Sequence, residues 1–443
     1  MKVLIIFFNF ILFTAYSSEQ DTSINRMNKL SFIKTIKLAE TDSTFISNIN
    51  NISFFADSNF IINSSIVGNA YIYSNKNGNL IKSIYFGSDL IDTMKSHSEK
   101  FDLFCKDNYW LLSFNELVDN PPNKFKDLPK DSFRISLEKT ITRSIIKTII
   151  LNDQSLVHMV KVSIIITQGT QRPILKDKPR RSGVDMCLIV KTNPYDIEQC
   201  FMPQSIYDNG DPYFPLYKDF EVSRNVENLY YLNCFNEFFI GVARNVQNAL
   251  KQKFYSTMIH NSDYTKLELA SPLPELLVRE QVFYSLSYPK YILNNDELYY
   301  CFPLIDTIYN NRNHQSFPLK INADNEYFFD KFDYDDYEKM NYKHLGFRIE
   351  TLSKNKKGNI IIVSRIYEDF LQNDARLAWF RIQEYDKINF KLLRSATMPF
   401  KRDEDLGGTH TTIQYICAEP NYDDTIVIAY SNEENWFIDY YKW

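Results

Sequence analysis

Between Phe54 and Gly87 the chain reads FFADSNFIINSSIVGNAYIYSNKNGNLIKSIYFG, short runs in which apolar and polar side chains roughly alternate. A period of two over four to eight residues marks a half-buried β-strand. Strands are therefore predicted over 54–63, 69–75 and 79–86. Asn77-Gly78 lies between the last two, and Asn-Gly is a strong short-range hairpin signal because both residues tolerate positive φ. A three-stranded meander leaves both faces uncovered, so it needs similar neighbours.

Comparable units recur along the chain. The second begins at Phe101 with FDLFCKDNYWLLSF and is followed by an insertion from Asn120 to Pro129, rich in Pro and charge. Residues 133–151 carry Ile141, Ile145 and Ile149 at helical spacing, so a helix rivals a strand there; the β-branched content favours strands. A third unit covers 156–202, with a hairpin around Asn193-Pro194 and a locally basic insertion from Lys176 to Gly183 that reads as a solvated turn or an anion-binding loop. Further units are expected at 229–269, 288–321 and 347–398. An acidic, aromatic stretch occupies 324–343. The last unit, 411–443, stops after three strands.

Residues 30–38 form an orphan strand with no hairpin partner beside it. It supplies the missing fourth strand of the last unit, which is how a ring of blades closes without open sheet edges. The expected fold is all-β: a β-propeller of four-stranded antiparallel blades, six or seven in number, closed by the N-terminal strand. An open two-sheet sandwich is the alternative. The expected organisation is a signal peptide over 1–17, a flexible segment over 18–29 and a single propeller domain over 30–443.

Composition sharpens this picture in three places. Aromatics make up 15% of the chain, which suits pleated, half-buried surfaces, and only 11 of 443 residues are Gly, so Asn takes over many turns. The net charge is −5, with no basic surplus to neutralise phosphates, so nucleic acid is not an expected partner. Lys2, the apolar run Val3–Phe13 and the small residues Ala15 and Ser17 form the three parts of a secretory signal cleaved after Ser17. That run is too short to span a bilayer, which takes about 20 residues, and no later stretch qualifies. The protein is expected to be exported, periplasmic or secreted, with no transmembrane segment after cleavage.

An exported chain permits disulfides. In a symmetric hairpin around Thr192–Tyr195, Leu188 faces Gln199, Val190 faces Ile197, and Cys187 faces Cys200, a geometry a disulfide can bridge. Cys187–Cys200 is thus a candidate disulfide, with two buried thiols as the alternative. Catalytic chemistry is sparse. His410 follows Gly407-Gly408-Thr409 near Asp403, Glu404 and Asp405, but no nucleophile motif accompanies it. Asp330, Asp333, Asp335, Asp336 and Glu338 lack the spacing of a calcium loop. His97, His158, His260, His314, His344 and His410 form no metal-binding grouping. No nucleotide-binding glycine motif occurs. Asn51-Ile52-Ser53 and Asn63-Ser64-Ser65 match the glycosylation acceptor pattern. No catalytic residues, metal site or cofactor are assigned, and the ligand-binding residues are unknown at this level.

FFADSNFIINSS followed by AYIYSNKNGNLIKSI resembles a propeller blade of the NHL/TolB-like kind: strand, turn, strand, then Asn-Gly-x-Leu. ELYYCFPLIDTIYN, Glu297 to Asn310, is similar to a segment of uncharacterised secreted TolB-like propellers of Gram-negative bacteria. The resemblance implies a fold and an exported location over the whole mature chain, and no activity. It departs from lipoprotein members, since no Cys lies near the cleavage site. The expected function is a binding or protein-interaction module for a protein, peptide or glycan of the cell envelope. The alternative is a propeller hydrolase or lyase acting on a glycan or peptide.

Overall fold

A computed structural model of the chain describes residues 30–41, 44–55, 59–64, 68–86, 135–170, 180–193, 195–201, 216–223, 229–235, 255–261, 267–274, 289–294, 297–321, 346–367, 378–398, 412–432 and 435–443. Strand β1 spans Ser31–Lys37. The first sheet holds β2 (Asn51–Phe54), β3 (Asn59–Ser64), β4 (Asn69–Ser74) and β5 (Leu80–Ile84). The second holds β6 (Ile135–Ile150), β7 (Leu156–Thr170), β8 (Arg180–Asn193) and β9 (Asp196–Phe201). The third holds β10 (Leu216–Val222), β11 (Leu229–Phe235), β12 (Tyr255–Asn261) and β13 (Leu267–Pro272). The fourth holds β14 (Lys290–Asn294), β15 (Glu297–Cys301), β16 (Thr307–Asn310) and β17 (Ser316–Pro318). The fifth holds β18 (Phe347–Lys354), β19 (Ile360–Tyr367), β20 (Ala378–Tyr385) and β21 (Leu392–Thr397). The chain ends with β22 (Thr412–Ala418), β23 (Thr425–Ser431) and β24 (Trp436–Lys442).

The architecture is all-β, a β-propeller of four-stranded antiparallel blades. Among the described residues, five blades are each built from four consecutive strands; the six or seven units read from the sequence also counted the closing sheet. β1 joins β22–β24 in a further closing sheet, ordered β1-β24-β23-β22. Residues 135–150, expected in the second unit, join the third unit's strands in one sheet. Residues 135–150 form a single strand paired residue by residue with 156–170. The helical spacing of Ile141, Ile145 and Ile149 is overridden by that pairing, since β-branched residues pack well across strands. Phe101 to Phe114, His97, His344, His410, the 120–129 insertion and the acidic stretch at 324–343 lie outside the described residues. No helix among the described residues is long and apolar enough to cross a membrane.

The chain divides into two compact units. One comprises Ile36–Leu298 with Asn435–Phe437. Its core sets Ile61, Ala70 and Ile72 of the first sheet against Ile145, Val160, Leu188 and Val190 of the second. A neighbouring core joins Val157, Met159, Cys187 and Ile189 to Phe220 and Val222 of β10. Alternate residues of β7 and β8 thus serve different cores, as the two-residue period of a strand covered on both faces requires.

The other unit comprises Met1–Thr35, Tyr299–Glu434 and Ile438–Trp443. Its core packs Ile361, Val363, Phe380 and Ile382 against Ile416, Ala418, Ile426 and Ile428. Thr351 Oγ1 donates to Ile416 O at 2.6 Å and Ser353 Oγ accepts from Ala418 N at 2.9 Å, so the same face of β18 is tied to β22 by hydrogen bonds as well.

Candidate functional site

The second sheet differs from the others in strand length. β6, β7 and β8 run for 16, 15 and 14 residues, whereas the remaining strands have three to eight. The first sheet touches β6 near its C-terminal end: Gly68 O accepts from Ile145 N at 2.8 Å, and Asn63 pairs with Thr148. Pairing between β6 and β7 continues from there to Ile135↔Thr170, a further stretch of about 30 Å at 3.4 Å per residue. β9 pairs with β8 from Asn193 to Ile189, while β7 pairs with β8 as far as Gln168↔Arg180. Beyond the base, then, β6 and β8 flank β7 in a three-stranded arm, and among the described residues no further strand pairs with either of them there. The arm is basic in sequence, with Lys139, Arg143, Lys161, Arg180 and Arg181 against Glu138 and Asp185. Arg180 to Gly183, read from sequence as part of an insertion, belong to β8.

At the base of the arm lies a buried hydrogen-bond relay. Thr148 N donates to Asn63 Oδ1 at 3.0 Å, and Asn63 Nδ2 donates to Thr148 Oγ1 at 2.9 Å. Thr148 O accepts from Ser53 Oγ at 2.8 Å and from Asn51 Nδ2 at 3.3 Å. Side chains of the first sheet therefore complete the peptide groups at the edge of β6. His158 Nδ1 lies 3.0 Å from Thr148 Oγ1, and His158 Nε2 lies 3.2 Å from Thr192 Oγ1. With its proton spare, the Thr148 hydroxyl donates to Nδ1, which leaves Nε2–H to donate to Thr192. Burial drives the His158 pKa down to about 3, so the ring is neutral. Its task is structural. Asn51 and Asn63, the two glycosylation candidates, are both buried in this network and are not presented as acceptor sites.

Cys187 and Cys200 do not face each other. The hairpin closes through the two residues between Asn193 and Asp196, tighter than the four-residue turn expected, and a register shift follows between Lys191 and Thr192. Cys200 consequently opposes Val190, while Cys187 packs in the core with Met159 and Phe220. Cys200 packs in the other core, with Val160 and Leu188. The two buried thiols lie on opposite faces of one sheet, out of reach of the bond geometry.

Other buried charges serve as connectors. Lys147 Nζ meets Asp219 Oδ1 at 2.9 Å and Glu221 Oε1 at 2.7 Å, linking β6 to β10. Glu384 accepts from Asn355 Nδ2 at 2.9 Å, from Asn359 Nδ2 at 2.7 Å and from Arg394 Nε. Asp439 accepts from Thr35 Oγ1 at 2.7 Å and from the hydroxyls of Tyr430 and Tyr441 at 3.3 Å, which pins β1 to the closing sheet. Burial raises its carboxyl pKa. Glu419, near Lys34 and Tyr440, is pushed up to about 7 by burial, opposed by an Asn421 hydrogen bond and the Lys34 charge. No group of metal-ligating side chains occurs among the described residues. These clusters were not legible from spacing, because their members lie up to 404 positions apart.

No family model and no curated protein matches the chain. Among solved structures, a Bacteroides fragilis NCTC 9343 protein named as a candidate exported protein is similar at 12% identity, covering 94% of each chain, with a TM-score of 0.43. A streptogramin B lyase is similar at 8% identity over 93% of this chain and 97% of that one, with a TM-score of 0.34. The NanB sialidase of Streptococcus pneumoniae is similar at 8% identity over 92% and 70%, with a TM-score of 0.40.

Proposed function

We propose that this protein is an exported, TolB-like propeller that binds another polypeptide. In this reading the arm formed by β6, β7 and β8 takes up an extended, acidic segment of a partner by adding it as a strand. The supporting observation is the length of the arm beyond the blade that holds it, where no strand pairs outside β6 or β8 among the described residues. An unpaired edge offers a row of backbone donors and acceptors to an incoming strand. The basic residues of the arm, in a chain of net charge −5, favour an acidic partner.

The test uses the full mature chain and a set of ten-residue peptides rich in Asp, Thr and Val, each with an N-methylated twin. Binding is expected for the plain peptides and is lost on N-methylation, which removes strand donors. Lys139→Glu combined with Arg181→Glu should weaken binding at least tenfold and leave the melting temperature unchanged. Equal binding of both peptide forms, or binding indifferent to the charge reversal, rejects edge addition. Cleavage products in the same incubations would favour the hydrolase or lyase alternative.

A further inference from the structure

Arg381 is buried, 6% exposed, and its Nη1 has no hydrogen-bond partner. Directly across the β19–β20 pair stands Ser364, fully buried, whose Oγ also has no partner. Residues directly opposed in an antiparallel pair project from the same face, about 5 Å apart. Two unpaired hydrogen-bonding groups therefore share one buried spot, and one of them carries a permanent positive charge.

The surroundings do not neutralise that charge. Among the described residues no carboxylate pairs with Arg381. Desolvation lowers its pKa, and the Tyr385 hydroxyl is the group that acts in the other direction. Gln383 and Tyr385, the next two residues on that face, are already engaged: Gln383 Nε2 donates to Lys320 O at 2.8 Å, and Tyr385 OH accepts from Lys320 N at 3.0 Å. The guanidinium carbon lies 4.7 Å from the centre of the Trp379 ring, over its face. That contact is attractive and satisfies no N–H. Among the described residues Lys147 meets two carboxylates and Glu384 meets three donors, although Arg348 Nε and Arg365 Nε, like Arg381 Nη1, make no hydrogen bond. On the other face of β19, Arg365 shares Glu350 of β18 with Arg348, at 3.0 and 3.4 Å.

We propose that Arg381 and Ser364, with the Trp379 ring alongside, form a binding site for a small carboxylate. A carboxylate offers two planar acceptor oxygens, one for a guanidinium N–H and one for a hydroxyl, and returns the negative charge the site lacks. The site lies near the start of β20, four residues into the strand, and is distinct from the arm.

The experiment is thermal unfolding of the intact mature protein titrated with formate, acetate and lactate, against chloride and phosphate at matched ionic strength. A saturable rise in melting temperature is expected with the carboxylates. Ser364→Ala, a change of one buried atom, should weaken the apparent dissociation constant about tenfold, equivalent to about 1.4 kcal/mol. Arg381→Lys should weaken it further, since an ammonium cannot reproduce the planar fork. Arg381→Met should abolish the carboxylate response; if that variant fails to fold, the Ser364→Ala titration decides. No saturable response in the parent protein, a response to chloride of the same size, or an unchanged response in Ser364→Ala and Arg381→Lys overturns the proposal and leaves the site to a water molecule.

Discussion

Lys147 Nζ lies 2.7 Å from Glu221 Oε1, and this contact carries one blade onto the next. Asp219 completes the group, and the two carboxylates hold the lysine firmly in its charged form against the burial that opposes it. Lys147 follows a register shift in β6 between Ile145 and Lys147, which sets the residue apart from the regular ladder. Replacing Lys147 by Met leaves two carboxylates together without their cation. A loss of about 2 kcal/mol is expected, less than the roughly 3–5 kcal/mol of a fully buried broken pair because Asp219 stays partly hydrated. Urea unfolding measures it. Adding Asp219→Asn and Glu221→Gln to Lys147→Met should recover most of the loss.

The pH profile should carry two opposed slopes. His158 titrates near 6.5 when unfolded and near 3 when folded. Its contribution is present above pH 6.5 and is lost as pH falls toward 3, about 2 kcal/mol by pH 5. Glu419 runs the other way: its folded pKa of about 7 lies above the ordinary 4.5. Its contribution is present below pH 4.5 and is lost as pH rises through 7. Glu419→Gln should therefore raise stability at pH 8 by about 1 kcal/mol and steepen the acid side. His158→Asn should flatten the acid side. Denaturant midpoints at pH 5, 6.5 and 8 for the parent and both variants test the signs separately.

Gly78 is required twice over. Its φ is +71°, and a Cβ there would sit 2.0 Å from Lys37 O. The neighbouring bond from Ala39 N to Gly78 O, at 2.9 Å, holds the segment after β1 against the turn. Gly78→Ala should cost about 3 kcal/mol, combining backbone strain with the displaced strand. Asn77→Ala, which touches the same turn without the close approach, should cost less than 1 kcal/mol. A comparable loss in both variants would show that the turn conformation alone matters.

Native labelling with iodoacetamide should leave Cys187 and Cys200 unmodified. Both are buried, and burial pushes the Cys200 thiol up to about 12. After unfolding in guanidinium without reductant, both should label fully, adding the same mass as with reductant. Residual protection that reductant alone removes would restore the disulfide and contradict the register of β8 and β9.

Much of the strand pattern can be read directly from residues. Short apolar and polar runs in Phe54–Gly87 and Asn-Gly at 77–78 marked the first blade, because strand and turn preferences act over a few residues, although β3 and β4 are buried on both faces. The orphan strand at residues 31–37 and the three-stranded end of the chain marked the closing sheet, since an incomplete blade and a lone strand need each other. Tertiary structure decided the rest. The hairpin at 193–196 took a two-residue turn where four was expected, and a shift in register put Cys187 and Cys200 on opposite faces, because pairing along the whole of β8 outweighs one local turn preference. The same pairing with β7 drew 135–150 into one long strand against its helical spacing. Asn63, Thr148, His158 and Thr192 are ordinary residues in sequence, and they became a connected network only when two sheets met. Arg381 and Ser364 likewise acquire their meaning from a strand pairing that places them side by side and from burial that removes the water each would otherwise bind.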